Sequence, residues 1–180
     1  MRIIRGKYKT RRFKVPKNFP SRPTTDFAKE GLFNILENRM VLHDLQILDL
    51  CAGTGNISIE FLSRECGHVT AVDKNYNCIR HVQQLSRELE CKEDLDIVKG
   101  DIIKFLQNTD ESFDIIFADP PYAFEDHHKI AELTFERDLL TEAGLLVIEH
   151  GKHTELSDIT QFRFSRKYGN IVFSFFIKKQ

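Results

Sequence analysis

The chain has 180 residues, of which 41% are hydrophobic and 29% charged, and its formal net charge is −1 at pH 7. This size and composition are typical of one soluble globular domain whose core needs no disulfide or metal crosslink. No apolar run approaches the ~20 residues of a membrane span, and none follows Met1 as a secretion signal would. The four cysteines form no CxxC pair, which argues against a zinc or redox site. We therefore expect a cytoplasmic protein that binds no metal and enters no membrane.

Basic residues are concentrated at the amino terminus. Residues 1–22 carry nine Lys or Arg and no acidic residue, which leaves 26 − 9 = 17 basic against 27 acidic residues in positions 23–180. This asymmetry predicts a polyanionic partner at the basic end, and interleaved aromatic residues suit a structured RNA. The candidate RNA contacts are Arg5, Lys7, Arg11 and Arg12. We predict a basic RNA-binding hairpin or arm over residues 1–22; a merely solvated edge hairpin is the alternative.

Apolar periodicity predicts the secondary structure in chain order. Residues 2–15 form a hairpin that bends near Gly6, and Thr24 or Thr25 caps a helix that ends near Leu36. Short apolar strands and amphipathic helices then alternate. The predicted strands are 46–51, 68–72, 96–99, 113–118 and 144–149, and the predicted helices are 56–64, 76–89, 102–107 and 127–137. Two further strands, 162–167 and 171–178, form a closing hairpin around Gly169.

The alternation predicts an α/β fold with a mostly parallel sheet covered on both faces, to which the hairpin adds an antiparallel edge strand. In such sheets, ligands bind beyond the carboxyl ends of the strands. The unusual motifs of this chain all follow predicted strands: Ala52-Gly53-Thr54-Gly55, Asp73, Gly100-Asp101 and Asp119-Pro120-Pro121-Tyr122. Four loops therefore converge on one rim, which predicts a single functional site there.

The loop after the first parallel strand is the first candidate cofactor contact. Gly53 and Gly55 allow a tight turn and a close approach of the backbone to a ligand. A nicotinamide site requires G-x-G-x-x-G, but the third glycine position is Ser58. Asp49, at the end of the strand, would repel a pyrophosphate but would attract the ammonium group of an amino acid.

Two further acids could bind a nucleoside. Asp73 can accept both ribose hydroxyls, and charged hydrogen bonds of this kind are worth about 1.5–3 kcal/mol each. Asp101 can accept the adenine amine while Ile102 packs against the ring, and Lys74 lies beside Asp73. A helix N-cap is the alternative role for both acids. A ligand with an ammonium group, a ribose and an adenine but no pyrophosphate is S-adenosylmethionine.

The tetrapeptide from Asp119 to Tyr122 suits methyl transfer to an amine. The Asp119 carboxylate and the Pro120 carbonyl can accept both N–H bonds of an exocyclic base amine and so orient its nitrogen. Tyr122 can stack on the base, a contact worth ~1–3 kcal/mol, while the prolines preset the geometry. The base must be unstacked to reach this pocket. A simple strand-terminating turn is the alternative.

These motifs resemble those of the RsmD family, the bacterial 16S rRNA guanine-N2 methyltransferases. The resemblance rests on MRIIRGKYKTRRFKVP and RPTTDFAKEGLFNIL, together with the AGTG and DPPY loops, and it covers essentially the whole chain. It implies a Rossmann-like class I S-adenosylmethionine-dependent methyltransferase. Such a protein has a seven-stranded, mostly parallel sheet with one antiparallel strand, plus a small basic N-terminal hairpin. The partner would be 16S rRNA or the assembling 30S subunit, and we expect a monomer.

The resemblance also implies roles for individual residues. The amine-binding residues would be Asp119, Pro120 and Tyr122. The cofactor would be lined by Gly53, Gly55, Asp73 and Asp101. The mouth for cofactor and substrate would be bordered by Arg22, Thr24 and Asp26, and Pro121 is a further substrate-binding candidate. Two positions depart from the family pattern: Cys51, where members often have Phe, and Asn56, where Gly or Ala is common.

Other functions remain open from the residues alone. DPPY is shared with adenine-N6 and other amino-group methyltransferases, whereas sequence-specific DNA methylases usually need a further recognition domain. A non-catalytic RNA-binding chaperone with the same fold is an alternative of another class. His127 and His128 are expected to be a solvated helix start rather than a pair of metal ligands.

Overall fold

A computed structural model describes residues 1–21, 24–121 and 123–178. The helices are α1 (Asp26–Arg39), α2 (Asn56–Ser63), α3 (Tyr76–Glu88), α4 (Ile102–Asn108) and α5 (His127–Glu136). The strands are β1 (Gln46–Leu50), β2 (His68–Asp73), β3 (Leu95–Lys99), β4 (Phe113–Ala118), β5 (Leu140–Gly151), β6 (Phe162–Tyr168) and β7 (Ile171–Ile177). Each predicted strand and helix from residue 24 onward is therefore present, and most ends agree within one or two residues.

The seven strands form one mixed sheet in the order β3-β2-β1-β4-β5-β7-β6. The first five strands in this order pair in parallel, and β7 runs antiparallel to both of its neighbours. The seven-stranded α/β fold with one antiparallel strand is thus confirmed. The expectation that this strand forms the edge is wrong, because β7 lies between β5 and β6. Its Phe173, Phe175 and Phe176 are fully buried, which explains why it lies inside the sheet.

Alternate residues of each central strand feed separate cores on the two faces of the sheet, as the two-residue period of a strand requires. On one face, Ile47 and Ile115 pack with α1, α2 and α3. On the other face, Leu48 and Ile116 pack with α4 and α5. Side chains at the ends of the strands follow the same alternation, so Asp49 lies on the face of Ile47, which is covered by α1 and α2.

Strand β5 is longer than its sequence indicates. It begins at Leu140, which pairs with Phe113, and the register shifts between Phe113 and Ile115. The polar and small residues 141–144 hide this first part of the strand from a periodicity search. His127 also differs from expectation: it is buried, with its ring 5.4 Å from that of Phe124, whereas His128 is exposed.

The N-terminal segment reverses direction and makes one antiparallel bridge, between Arg2 and Arg12. On either side of this bridge, the Ile3 amide donates to the Arg11 carbonyl at 3.0 Å and the Phe13 amide donates to the Met1 carbonyl at 3.0 Å. Other backbone donors of the segment bind helix α2. The amides of Ile4 and Arg5 donate to the Glu60 carboxylate at 2.9 and 3.1 Å, and the amide of Lys7 donates to the Ser63 carbonyl at 2.7 Å. The segment is therefore a short hairpin that is also bound to helix α2.

Gly6 permits this close docking. Its φ is +86°, and a Cβ built at this position would lie 1.6 Å from the carbonyl oxygen of Ser63. Any other residue would push the segment away from the helix.

A buried ion pair ties these elements together. The ammonium group of Lys29 on α1 lies 2.9 Å from Glu60 Oε2, and both side chains are fully buried. Lys29 also donates to the Arg2 carbonyl at 2.6 Å and to Asn56 Oδ1 at 2.8 Å. Arg64 is 3.0 Å from Glu60 Oε1. The charges are thus paired and saturated with hydrogen bonds, which is the condition for burying them.

We predict that Lys29→Met destabilises the protein by about 3–5 kcal/mol, because it leaves the Glu60 carboxylate buried without its ammonium partner. Urea unfolding followed by circular dichroism measures the difference. Lys104→Met, on the exposed surface of α4, is the matched control and is expected to stay within about 0.5 kcal/mol of the parent protein. Equal midpoints for the two variants would contradict the importance of the ion pair.

Candidate active site

The loop between β1 and α2 has the backbone shape that its glycines predict. Gly53 has φ of +54° and Gly55 has φ of +73°, and Gly55 is the N-cap of α2. Cys51 also has a positive φ, +64°. A Cβ at Gly53 would lie 2.4 Å from Ser21 Oγ, so the loop packs closely under the segment that precedes α1.

Asn56 links this loop to that segment. Its side-chain amide donates to the Thr24 carbonyl at 2.9 Å, and its Oδ1 accepts from Lys29. The departure from the family pattern at Asn56 therefore has a structural role. It connects the first residue of α2 to the segment that contains Thr24 and to the buried ion pair.

Asp73 lies at the end of β2 and is buried. Its two carboxylate oxygens accept the amides of Gly53, at 2.9 Å, and Asn75, at 2.7 Å. The N-cap of α3 is Asn75 itself, so Asp73 is not the capping residue. Since each carboxylate oxygen can accept more than one hydrogen bond, Asp73 supports the glycine loop and retains acceptor capacity for a ligand.

Asp101 lies at the end of β3 and is exposed. It caps α4 by accepting the Lys104 amide at 3.1 Å, so the capping role that the sequence allows is present. Ile102 beside it is buried, and Lys74 is exposed after β2. These residues follow β2 and β3 along the same edge of the sheet as the glycine loop.

A narrow cleft opens where β1 and β4 end. The predicted site residues that line it are Thr24, Asp49, Ala52, Thr54 and Asp119. It is completed by Ser21, Cys51, Asn56, Ile57 and Phe117. Asp26 is not among these lining residues; its carboxylate pairs instead with Arg2 at 3.0 Å. The structure therefore brings the glycine loop after β1, the first residue of the tetrapeptide and the segment before α1 to one place.

Asp49 is a buried carboxyl group at the floor of this cleft, with 1% of its surface exposed. It accepts the hydroxyl of Ser58, the residue at the missing glycine position. Burial raises the pKa of Asp49 to about 7, and the charge of Asp73 adds to the rise, while the hydrogen bond from Ser58 opposes it.

Two more carboxyl groups share this environment. The pKa of Asp119 is raised well above its usual range by burial and by the negative charges of Glu149 and Asp49. Glu149 on β5 is buried and accepts the Thr24 hydroxyl at 3.0 Å. Burial also raises the pKa of Glu149 to about 7, against the effect of the bond from Thr24.

Among the described residues, no Lys, Arg or His forms an ion pair with Asp49, Asp119 or Glu149. Three uncompensated carboxyl groups beside a glycine loop form an environment that favours a cationic ligand. S-adenosylmethionine carries both an ammonium and a sulfonium group, and its charges therefore fit these residues.

The tetrapeptide continues the sheet by one hydrogen bond before it turns away. The Asp119 amide donates to the Leu50 carbonyl at 3.1 Å, and the Phe124 amide donates to the Pro121 carbonyl at 2.7 Å. Pro120 is buried and Pro121 is exposed. Tyr122 and Arg22, both predicted site residues, lie outside the described residues.

The predicted RNA contacts differ in how much they are engaged. Arg5 pairs with Glu37 at 2.9 Å, Lys7 lies 3.9 Å from Asp94, and Arg11 donates to the Glu88 carbonyl at 3.3 Å. Other cations of the segment are exposed and have no ion pair within the described part of the chain: Lys9, Arg12, Lys14 and Lys17. Phe13 packs against the core between Arg12 and Lys14.

Several residues of the site have no signal in the sequence. In the sequence, Glu149 looks like a polar residue that ends an apolar strand, and Lys29 looks like an exposed residue on the surface of a helix. Their burial becomes visible only when β5 and α1 are placed beside β4 and α2. Ser58 carries a partial signal, because a hydroxyl at the third glycine position can reach the strand-end acid.

Within the described residues, no helix is both long and apolar enough to cross a membrane. No cluster of three His, Cys, Asp or Glu side chains is arranged to hold a metal ion in that same part of the chain.

Known proteins resemble this chain in sequence and fold. The family model for "Conserved hypothetical protein 95" matches residues 1–177. The Ribosomal RNA small subunit methyltransferase D of Escherichia coli (strain K12) is 32% identical over 152 residues, 83% of this chain and 74% of that protein. The protein of the same name from Haemophilus influenzae (strain ATCC 51907 / DSM 11121 / KW20 / Rd) is 30% identical over 159 residues, 87% of this chain and 81% of that protein.

Among solved structures, the hypothetical protein TTHA0928 of Thermus thermophilus superposes with a TM-score of 0.85 and 25% identity, and the match covers 99% of both chains. The putative methyltransferase yhhF of Escherichia coli superposes with a TM-score of 0.83 and 25% identity, and the match covers 98% of this chain and 96% of that chain. The chain therefore belongs to the Conserved hypothetical protein 95 family, the RsmD family.

Proposed function

We propose that this protein transfers a methyl group from S-adenosylmethionine to the exocyclic N2 amine of a guanine in 16S rRNA, in the cytoplasm. The observation that carries the proposal is the placement of Asp119 beside Asp49 at the carboxyl ends of β4 and β1. The relatives that are named rRNA small subunit methyltransferases support the choice of substrate.

The cofactor would lie along the edge formed by β1, β2 and β3. Asp49 would receive its ammonium group, the backbone from Ala52 to Gly55 would approach its chain, and Asp73 would accept its ribose hydroxyls. Lys74, Asp101 and Ile102 would border its adenine. When bound, S-adenosylmethionine supplies an electrophilic methyl group on a positively charged sulfur.

Asp119 would orient the substrate nitrogen. An exocyclic base amine is a weak nucleophile because its lone pair is delocalised into the ring. An N–H bond held by the Asp119 carboxylate, and a second held by the Pro120 carbonyl, would aim the lone pair at the methyl carbon. Pro121 and Tyr122 would border the extruded base.

The N-terminal segment would bind the RNA backbone. Its exposed cations surround a chain reversal that Gly6 and Glu60 fix on α2. Arg5, Lys7, Arg11 and Arg12 would contact phosphates, while Arg22, Thr24 and Asp26 would lie between this surface and the cleft. The partner would be free 16S rRNA or the assembling 30S subunit, bound by a monomer.

We predict that Asp119→Ala lowers the rate of methyl transfer by about 10²–10⁴-fold, a loss typical of a residue that contacts a reacting proton. S-adenosylmethionine affinity, measured by calorimetry, is expected to stay near that of the parent protein. Asp126→Ala, an exposed acid seven positions later, is the control. Mass mapping of 16S rRNA identifies the product: methyladenosine would contradict the guanine assignment, and full activity of the Asp119 variant would contradict its role.

We predict that Asp49→Asn weakens S-adenosylmethionine binding by about 10-fold or more, because it removes a charged hydrogen bond. The same change is expected to stabilise the ligand-free protein at pH 8. The pKa of Asp49 rises from its ordinary value of 3.8 to about 7 on folding. The protonated carboxyl group is therefore fully compatible with the folded state below pH 4, and the free energy of unfolding falls as the pH rises through 7 and the buried group ionises.

Urea unfolding between pH 4 and 8 tests this effect. The parent protein is expected to lose stability over the range, and the Asp49→Asn variant is expected to lose less. Asp126→Asn is the control, since that side chain is exposed. Unchanged cofactor affinity in the Asp49→Asn variant would contradict the ammonium contact.

We predict that Arg12→Glu with Lys14→Glu reduces RNA affinity without changing S-adenosylmethionine affinity. If about four cations contact phosphates, the slope of log K against log salt is near −3 in the parent protein and shallower in the variant. Arg163→Glu with Lys167→Glu makes the same change of charge on the exposed surface of β6. Equal losses from both pairs would show that net charge, and not this surface, determines binding.

A further inference from the structure

We propose that Glu149 and Asp119 act as one proton-sharing carboxyl pair, in which Glu149 is the positioning residue that takes over the proton released onto Asp119 by methyl transfer. The inference rests on the proposed function and assigns a role to Glu149, a residue that no motif indicates.

The register of the sheet places the two side chains together. Strands β4 and β5 pair in parallel, with Phe117 opposite Val147 and Ala118 opposite Ile148. One step further along both chains, Asp119 and Glu149 are therefore neighbours. Residues two apart in a strand lie on the same face, so both follow the face of Phe117 and Val147, which pack in the α1 and α2 core.

Asp49, on β1, belongs to the same face because it pairs with Phe117 of β4. The acidic groups that face Glu149 are accordingly Asp119, after β4, and Asp49, on β1. On its other side, Glu149 pairs with Phe173 of β7, which carries no charge. His150, the next residue, bonds to Ser174 instead.

Thr24 completes the environment of Glu149. Its hydroxyl donates to Oε2 at 3.0 Å, and Glu149 has 6% of its surface exposed. The ionised Glu149 carboxylate is poorly compensated, because Thr24 is a neutral donor and no cationic partner is present among the described residues. Two such carboxyl groups side by side bind one proton more readily than either would alone, and they titrate as a unit. The raised pKa values of both groups agree with this arrangement.

The reaction provides the proton that such a pair would hold. As the nitrogen–methyl bond forms, the sulfur–methyl bond breaks and its electron pair stays on sulfur, which becomes a neutral thioether. The nitrogen then carries one positive charge and an excess proton. Asp119, already at an N–H bond, accepts that proton, and the proton shared with Glu149 passes to water when the product leaves. Atoms and charge balance without another reactant.

The test measures the titration of Asp119 directly, by NMR of ¹³C-labelled aspartate carboxyl groups, with Asp119→Asn to assign the resonance. Glu149→Gln keeps the Thr24 contact but removes the negative charge. We expect the midpoint of the Asp119 titration to move about one pH unit lower. The acidic limb of the pH–rate profile for RNA methylation is expected to move to lower pH by the same amount. Glu142→Gln, on the exposed start of the same strand, is expected to change neither.

Thr24→Val provides a second route if Glu149→Gln fails to fold. It removes the donor from Glu149, so the proton resides more on Glu149 and the Asp119 midpoint falls again. An unchanged midpoint in both variants overturns the pair, and a midpoint that falls while the acidic limb stays fixed overturns its role in proton transfer. A parent protein that shows the coupling and binds S-adenosylmethionine but methylates no guanine refutes the proposed function, and with it the catalytic role of the pair.

Discussion

The buried contact between Lys29 and Glu60 is the interaction on which the rest of the arrangement depends. It joins α1 to α2 in an environment where neither charge has water to solvate it. Its remaining donors and acceptors are used by the N-terminal segment, by Asn56 and by Arg64. A buried charge without its partner is costly, so these elements have one compatible arrangement. The proposed RNA surface and the glycine loop are thereby joined through one cluster of buried charges and its hydrogen bonds.

The opposite electrostatic situation exists at the rim of the sheet. There, Asp49 and Glu149 are buried, Asp119 is half-buried at the cleft, and none of the three has a described cationic partner. The protein therefore contains one compensated cluster of charges and one uncompensated cluster. The first stabilises the ligand-free protein, whereas the second opposes ionisation and is relieved by a cationic ligand or by protons. This difference explains why the two groups of buried charges are assigned different roles.

Local patterns predicted the elements well because strand and helix periods are properties of short segments. The bounds of β4 were predicted without error, and α1 begins after the predicted cap Thr25. The misses have a common cause. The start of β5, the inner position of β7 and the docking of residues 1–13 on α2 all depend on pairing with distant residues. Within the site, Asp49 and Asp119 stood at strand ends, but Glu149 had no local mark.

The sequence by itself determined the order of strands and helices, the glycine loop and the acids at strand ends, because each is encoded by neighbouring residues. It also determined the family, through motifs that extend along the whole chain. Only the tertiary structure decided that Lys29 is buried against Glu60, and that Glu149 lies beside Asp119. Burial and charge coupling are properties of groups brought together from 31 or 30 positions apart, and no short segment contains them.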